Sequence, residues 1–253
     1  MPLRAALLFV VVSLLAGCVT TGKVNPMTTQ KGRDEARKAY VQLGIGYLQE
    51  GQNERAKVPL RSALELDSSD PDANAALALV FQGEGETALA EEHFRKAIAK
   101  SDGDPRILNN YGSFLYEQKR YQEAYAMFQK ASADPLYPER SRVFENIGLT
   151  ALALGNGTEA QESLVKALRL NPDQPRALLE MAEISYDTQQ YVPARGYYER
   201  FTTLSEQNAR SLLLGMRLAK IFDDKDKAAS FALQLRRLYP GTPEYQQYLS
   251  EQR

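Results

Sequence analysis

Cys18 and His93 are the only cysteine and the only histidine in 253 residues, and that scarcity restricts the chemistry open to the chain. A structural or catalytic zinc takes three or four ligands drawn largely from these two residue types, so no zinc site is expected. A serine or cysteine nucleophile needs a base within hydrogen-bond reach. The one imidazole follows Glu91 and Glu92 in a stretch patterned as a helix, where it reads as a surface histidine. The acidic run Asp223-Asp224-Lys225-Asp226 mixes charges and lacks the regular spacing and mid-loop glycine of a calcium loop. The formal net charge of −1 provides no basic face for nucleic acid. The chain therefore reads as a binding protein rather than an enzyme, with no cofactor, no metal, no small-molecule substrate and no nucleic-acid partner.

Cys18 has a different setting. Arg4 precedes the apolar run Ala5 to Ala16, and Leu15-Ala16-Gly17 leads directly into the thiol. The run is too short to span a bilayer, which takes about 20 residues, and has the length of a secretory signal core. Together these features resemble a bacterial lipoprotein signal, the lipobox. That resemblance implies diacylglycerol on the Cys18 sulfur, removal of residues 1–17, and a mature chain that starts at Cys18. Val19, where an aspartate would resemble an inner-membrane retention signal, points to the outer membrane, with the protein lipid-anchored on its periplasmic face. Residues 18–36, rich in Thr, Gly, Lys and Pro at their start, read as a lipidated N-terminus and flexible tether.

The rest of the chain repeats itself. "AYVQLGIGYLQEGQNERAKVPLRSALELD" aligns with "NNYGSFLYEQKRYQEAYAMFQKASAD", and repeats start at Arg37, Pro71, Pro105, Ser141, Pro175 and Ala209, spaced 34, 34, 36, 34 and 34 residues. The pattern resembles the tetratricopeptide repeat (TPR), a helical hairpin of about 34 residues. It predicts an all-α, right-handed superhelix of six hairpins over residues 37–240, closed by a capping helix within 241–253. Position 20 of the repeat is alanine every time, at Ala56, Ala90, Ala124, Ala160, Ala194 and Ala228. Position 8 is Gly44, Ala78, Gly112, Gly148 and Ala182 in the first five repeats and Met216 in the sixth. Position 24 is Leu60, Phe94, Phe128, Leu164, Tyr198 and Ala232. Two antiparallel helices approach closely only where small residues face each other at the crossing. Gly215 and Met216 make the sixth repeat look degraded, as terminal repeats often are. Thr242-Pro243 reads as the start of the cap, with Tyr245, Tyr248 and Leu249 on one face.

In TPR arrays the first helix of each hairpin lines a concave groove. By that analogy Val41, Ile45, Leu48 and Leu79 form an apolar strip for a partner, unless the tether or a neighbouring helix covers it. Asn109, Arg106 and Arg142 are too few to match the Lys/Asn clamp that grips C-terminal carboxylates. Four stretches, "GRDEARKAYVQLGIGYLQ", "LNNYGSFLYEQKRY", "LYPERSRVFENIGL" and "NARSLLLGMRLAK", carry a closer resemblance, to the PilF/PilW family of type IV pilus biogenesis and stability lipoproteins. The resemblance implies a TPR-containing pilotin, an outer-membrane protein needed for twitching motility. Its partner would be the secretin, the pore subunit whose localisation and multimerisation it promotes. The alternative is a general periplasmic TPR scaffold for other envelope-assembly or cell-wall proteins. If the lipobox reading holds, Cys18→Ser will abolish labelling by radioactive palmitate and release the protein from floated membranes. A serine variant that still floats after high-salt washing contradicts it.

Overall fold

Short polar residues ahead of prolines start several of the helices. Asp70 accepts a hydrogen bond from the Ala73 backbone N–H at 2.7 Å, Asp104 from that of Arg106 at 2.8 Å, and Thr242 from that of Tyr245 at 3.4 Å. In each case proline occupies the first helical position, where its missing N–H costs nothing. Asn208 and Ser211 form a reciprocal capping box.

The computed structural model describes residues 25–252. Residues 1–17, Cys18 and the beginning of the tether lie outside them. The described residues form helices α1 (Gln30–Gln49), α2 (Asn53–Leu66), α3 (Pro71–Gly83), α4 (Thr87–Lys100), α5 (Pro105–Glu117), α6 (Tyr121–Ser132), α7 (Arg140–Ala153), α8 (Gly157–Leu170), α9 (Pro175–Asp187), α10 (Tyr191–Leu204), α11 (Ala209–Ile221), α12 (Lys225–Leu238) and α13 (Pro243–Ser250), after a 3-10 turn at Pro26–Thr28. There is no strand among them. This is an all-α solenoid of helical hairpins. Two compact units divide it, one ending at Lys100 and the other beginning at Ser101. The first holds hairpins α1/α2 and α3/α4. The second holds α5/α6, α7/α8, α9/α10 and α11/α12, with α13 packing on α11 and α12.

Four of the six expected repeat starts coincide with helix starts, and α7 begins one residue early, at Arg140. The first repeat differs more. Helix α1 begins at Gln30, so residues 30–36, assigned to the tether, are helical. Thr29 caps this extension by accepting from the Gly32 N–H at 3.0 Å. Gln30 bonds Asp34 and Arg33 bonds Gln30 along its surface, pairings at helical spacing that favour an added turn. The capping helix lies within the expected residues. Tyr245 and Tyr248 pack against the core around Leu212, Met216 and Leu235, whereas Leu249 is exposed.

The alanines at position 20 are buried in all six repeats. At position 8, a Cβ on Gly44 would stand 2.5 Å from Leu60, one on Gly112 2.6 Å from Phe128, and one on Gly148 2.7 Å from Leu164. These partners are the position-24 residues of the same hairpins. The glycines therefore admit a large side chain from the second helix directly onto the backbone of the first. Gly215 has the same role, displaced from the register by a single residue. Its missing side chain leaves room for the Tyr198 hydroxyl of the preceding hairpin and for Phe231. The sixth repeat is adapted to its neighbour rather than degraded.

Between the two helices of every hairpin one residue takes the left-handed conformation: Gly51, Gly85, Lys119, Gly155, Gln189 and Asp223. They fall at the same repeat position, where the chain must reverse within a few residues. Ala124, wholly buried, should not accept a larger residue: Ala124→Leu is expected to destabilise the fold by roughly 1–3 kcal/mol through overpacking. A shifted chemical-denaturation midpoint with an unchanged slope would show it.

Candidate binding surfaces

The expected apolar strip is not a free surface. Val41 is only 4% exposed and belongs to a core cluster with Ala63 and Ala73. Ile45 and Leu48 are half-buried against the cluster of Ala56, Leu60, Ala76, Leu77 and Val80. Leu79 is half-buried on α3. The reason is geometric. Helix α1 packs on both α2 and α3, so the face carrying Val41, Ile45 and Leu48 is used up in joining the first hairpin to the second. Among the described residues it is the neighbouring helices that cover Val41, Ile45 and Leu48. A charge at Ile45 and Leu48 would disrupt packing as well as any docking.

The apolar residues that α1 does expose lie elsewhere on it. Tyr40 is 37% and Leu43 48% exposed, three residues apart and so on one face of the helix. The signal for them was present in the sequence. Among the described residues no hairpin precedes α1/α2, so the face of α1 that would meet one carries these exposed side chains.

The helix junction below that face is fixed by charge. Arg37 pairs with Asp67 at 3.3 Å and with Asp70, the cap of α3. The positive end of the helix dipole favours the Asp70 carboxylate, and the partly buried Arg37 adds a charge-assisted hydrogen bond to it.

In the same unit, His93 is a packing residue. Asn74, fully buried, donates from its side-chain nitrogen to the Ser68 and Asp70 carbonyls at 3.2 and 2.8 Å. Its oxygen faces His93 Nδ1 at 2.9 Å. An amide whose nitrogen is already donating can only accept through its oxygen, so Nδ1 carries the proton. The ring stacks on Phe81 at 5.4 Å. Burial holds its pKa below the usual value of 6.5.

The second unit carries a polar network on the first helices of its hairpins. Asn109, expected in the groove, is buried, and its oxygen accepts from the Asn146 amide at 3.0 Å. Arg106 pairs with Asp104 and Arg142 with Glu139, so these cations are engaged within their own turns. Glu145 is buried on α7, where burial pushes its carboxyl above the ordinary range and Arg176 pulls the other way. Arg210 on α11 forks onto both oxygens of Glu180 at 2.7 Å and also binds Glu183. Arg217 pairs with Glu251 beyond the end of α13. Asn146 and Arg210 thereby tie one first helix to the next. The amide and charged positions that make these bonds are ordinary residues in sequence, and only the fold brings them together.

Among the described residues no group of three or more His, Cys, Asp or Glu could hold a metal ion. No described helix is long and apolar enough to cross a membrane.

Known proteins with these features are repeat proteins and pilus factors. The tetratricopeptide repeat family model matches residues 41–105, 75–138 and 146–209. The type IV pilus assembly protein PilF of Pseudomonas aeruginosa is 59% identical over 251 residues, covering 99% of this chain and all of that protein. A solved structure of Pseudomonas aeruginosa PilF superposes with a TM-score of 0.84 at 61% identity, covering 87% of this chain and 100% of that one. The crystal structure of PilW, a widely conserved type IV pilus biogenesis factor, superposes with a TM-score of 0.72 at 28% identity, covering 84% and 98%.

The His93 environment has a measurable consequence. Its depressed folded-state pKa means that the unfolded chain binds the proton more readily. The stabilisation is complete above about pH 6.5 and is lost as pH falls below that value toward the folded pKa. His93→Gln should flatten this part of the stability profile between about pH 7.5 and 5.5. An NMR titration of the native ring should give a midpoint below 6.5; a midpoint above it would contradict the burial argument.

Proposed function

This chain belongs to the PilF family of type IV pilus assembly proteins and serves pilus biogenesis, and from that membership we propose that it works as a pilotin. Its cargo is the secretin subunit, its destination the outer membrane, and its mechanism non-catalytic. The observation that carries the reading is likeness over essentially the whole chain, signal stretch and terminal helix included, rather than over the repeats alone.

In this reading the lipid on Cys18 supplies the address. Each buried CH₂ of an acyl chain contributes about 0.8 kcal/mol, so more than one chain holds a protein firmly on a bilayer. The helical repeats supply the grip. A secretin subunit bound to a lipidated carrier is confined to the periplasmic face of the membrane, where a raised effective concentration favours ring assembly. The surface we assign to the subunit is the face of α1 around Tyr40 and Leu43, the first described α-helix after the lipidated end. Apolar exposure on a helix face against which no described hairpin stacks suits an apolar segment of a partner.

The competing general scaffold would use the same repeats for a different client, and the fold does not choose between them. Co-purification from detergent-solubilised outer membranes does. Recovery of the secretin with the wild-type chain is expected, and a wild-type chain that brings down other envelope proteins without it favours the scaffold. Leu43→Glu should reduce secretin recovery and heat-stable multimers by roughly tenfold or more, the loss of one well-buried anchor. Its circular dichroism should be unchanged, since Leu43 is half exposed. Val58→Glu, at a position 67% exposed on α2, should behave as wild type. Normal multimers with Leu43→Glu would place the contact elsewhere.

A further inference from the structure

Four leucines in the second unit recur at an interval of 34 residues: Leu136, Leu170, Leu204 and Leu238. Each stands five residues before Ser141, Pro175, Ala209 or Pro243, where a repeat or the capping helix begins. Leu170, Leu204 and Leu238 are the last residues of α8, α10 and α12, and Leu136 lies in the longer turn after α6. Consecutive first helices are bonded between nearby repeat positions, Asn109 to Asn146 and Arg210 to Glu180. The hairpins therefore stack in one orientation, and the four leucines share one end of the unit. All four are exposed, by 87%, 48%, 42% and 64% in chain order. In the first unit the equivalent residues are Leu66, half-buried, and Lys100.

The same end is basic, in a chain whose formal net charge is −1. Arg169 and Arg176 flank the turn after α8 against one carboxylate, Asp173. Arg236 and Arg237 close α12 against Glu244 at the start of α13. Lys130, Arg140 and Arg142 border the turn after α6 against Asp134 and Glu139. The turn after α10 is balanced, Arg200 against Glu206, because Arg210 is held by Glu180 and Glu183. Arg169, Arg236 and Arg237 are exposed and make no hydrogen bond or ion pair with another described residue. Polar neighbours such as Asn171, Thr203 and Ser205 separate the leucines, which form isolated knobs rather than a continuous patch. A protein interface is built round a contiguous desolvated core. A bilayer surface needs none, since single apolar side chains sink into the headgroup boundary while arginine stems keep their charge among the phosphates.

We propose that this end of the second unit lies on a bilayer carrying anionic phospholipid, with the four leucines inserted and the surplus arginines on the phosphate headgroups. Separated apolar knobs set among excess positive charge fit that surface. Tyr137 and Tyr239, half-buried directly after Leu136 and Leu238, add the amphipathic rings that favour a membrane boundary. The inference rests on the membrane address proposed above, which supplies the bilayer, and uses none of the residues assigned to the secretin. An extended chain spans at most about 3.5 Å per residue, so the short stretch between Cys18 and α1 would hold the fold close to that surface. A contact too weak to recruit the protein from solution is then made at high effective concentration.

The chain contains no tryptophan, so a single introduced one reports its own surroundings. Leu170→Trp, Leu238→Trp and, as a control, Val192→Trp are made in the full chain. Each is added to vesicles of three parts phosphatidylethanolamine to one part phosphatidylglycerol with brominated acyl chains. Val192 is 68% exposed in the same unit but lies in the first turn of α10, at the other end of its hairpin. Emission from positions 170 and 238 should move to shorter wavelength and be quenched by the bromine, and that from position 192 should not. All three positions are exposed, so circular dichroism should be unchanged. The Cys18→Ser chain, which lacks the acyl attachment site, should keep this ordering at saturating lipid, so failure of the anchor and failure of this contact are told apart. In that background Arg236→Gln with Arg237→Gln should weaken vesicle binding by roughly tenfold or more, since each basic side chain at an anionic surface contributes about a fivefold factor. Equal quenching at all three positions, or none at 170 and 238, overturns the proposal. So does an emission shift that grows with protein concentration in the absence of vesicles, which identifies a second copy of the chain as the occupant.

Discussion

Everything in this fold depends on how closely the two helices of a hairpin approach. At Gly44, Gly112 and Gly148 the absence of a Cβ lets Leu60, Phe128 and Leu164 rest on the facing backbone. Glycine inside a helix costs about 1 kcal/mol against alanine, and dense packing around a large buried side chain offsets it. Without that approach the alanines at position 20 would have nothing to fit, and the position-24 side chains would hold the helices apart. Each hairpin buries its apolar face only by stacking on the next, so an error in one crossing is passed to its neighbours.

Polar groups do a second job between hairpins. Arg37 bridges from α1 to the cap of α3, Asn146 joins α7 to α5, and Arg210 joins α11 to two glutamates on α9. Each such bond joins the first helices of consecutive hairpins. The second helices make fewer such links, and several of their large apolar side chains, among them Val58 and Val192, face solvent. The solenoid is thus held by packing within a hairpin and by a mixture of packing and charge between hairpins.

How much of this was legible in the sequence follows from the same division. The crossing leaves a mark because it demands small residues at a fixed interval, and six alanines in register placed the hairpins to within a residue from Pro71 onward. Prolines and capping residues placed the helix starts for the same reason, since each acts on its immediate neighbours. The start of α1 was missed because Arg37 was the consensus boundary, while the added turn rests on Thr29 and on surface pairs that no repeat pattern records. Val41 was misjudged because register alone cannot separate a residue facing the groove from one wedged beneath the next helix. Gly215 looked like decay because its partner, Tyr198, belongs to another hairpin, and contacts at long range have no periodicity to reveal them.

Counted from the repeat start, the second helix begins 16 residues later in every hairpin, whereas one interval between hairpins is longer by two residues, and those residues fall in the segment between α6 and α7. The cause lies in the reversal inside each hairpin, where a single left-handed residue sets the chain length and leaves nothing to spare. Between α6 and α7 the chain instead runs through Asp134-Pro135-Leu136-Tyr137-Pro138, with Leu136 almost fully exposed. Length is negotiable only at such joints. For anyone wishing to graft an epitope, a fluorophore sequence or a protease site into this protein, that stretch is the natural point of entry, because added residues there leave every helix crossing in phase.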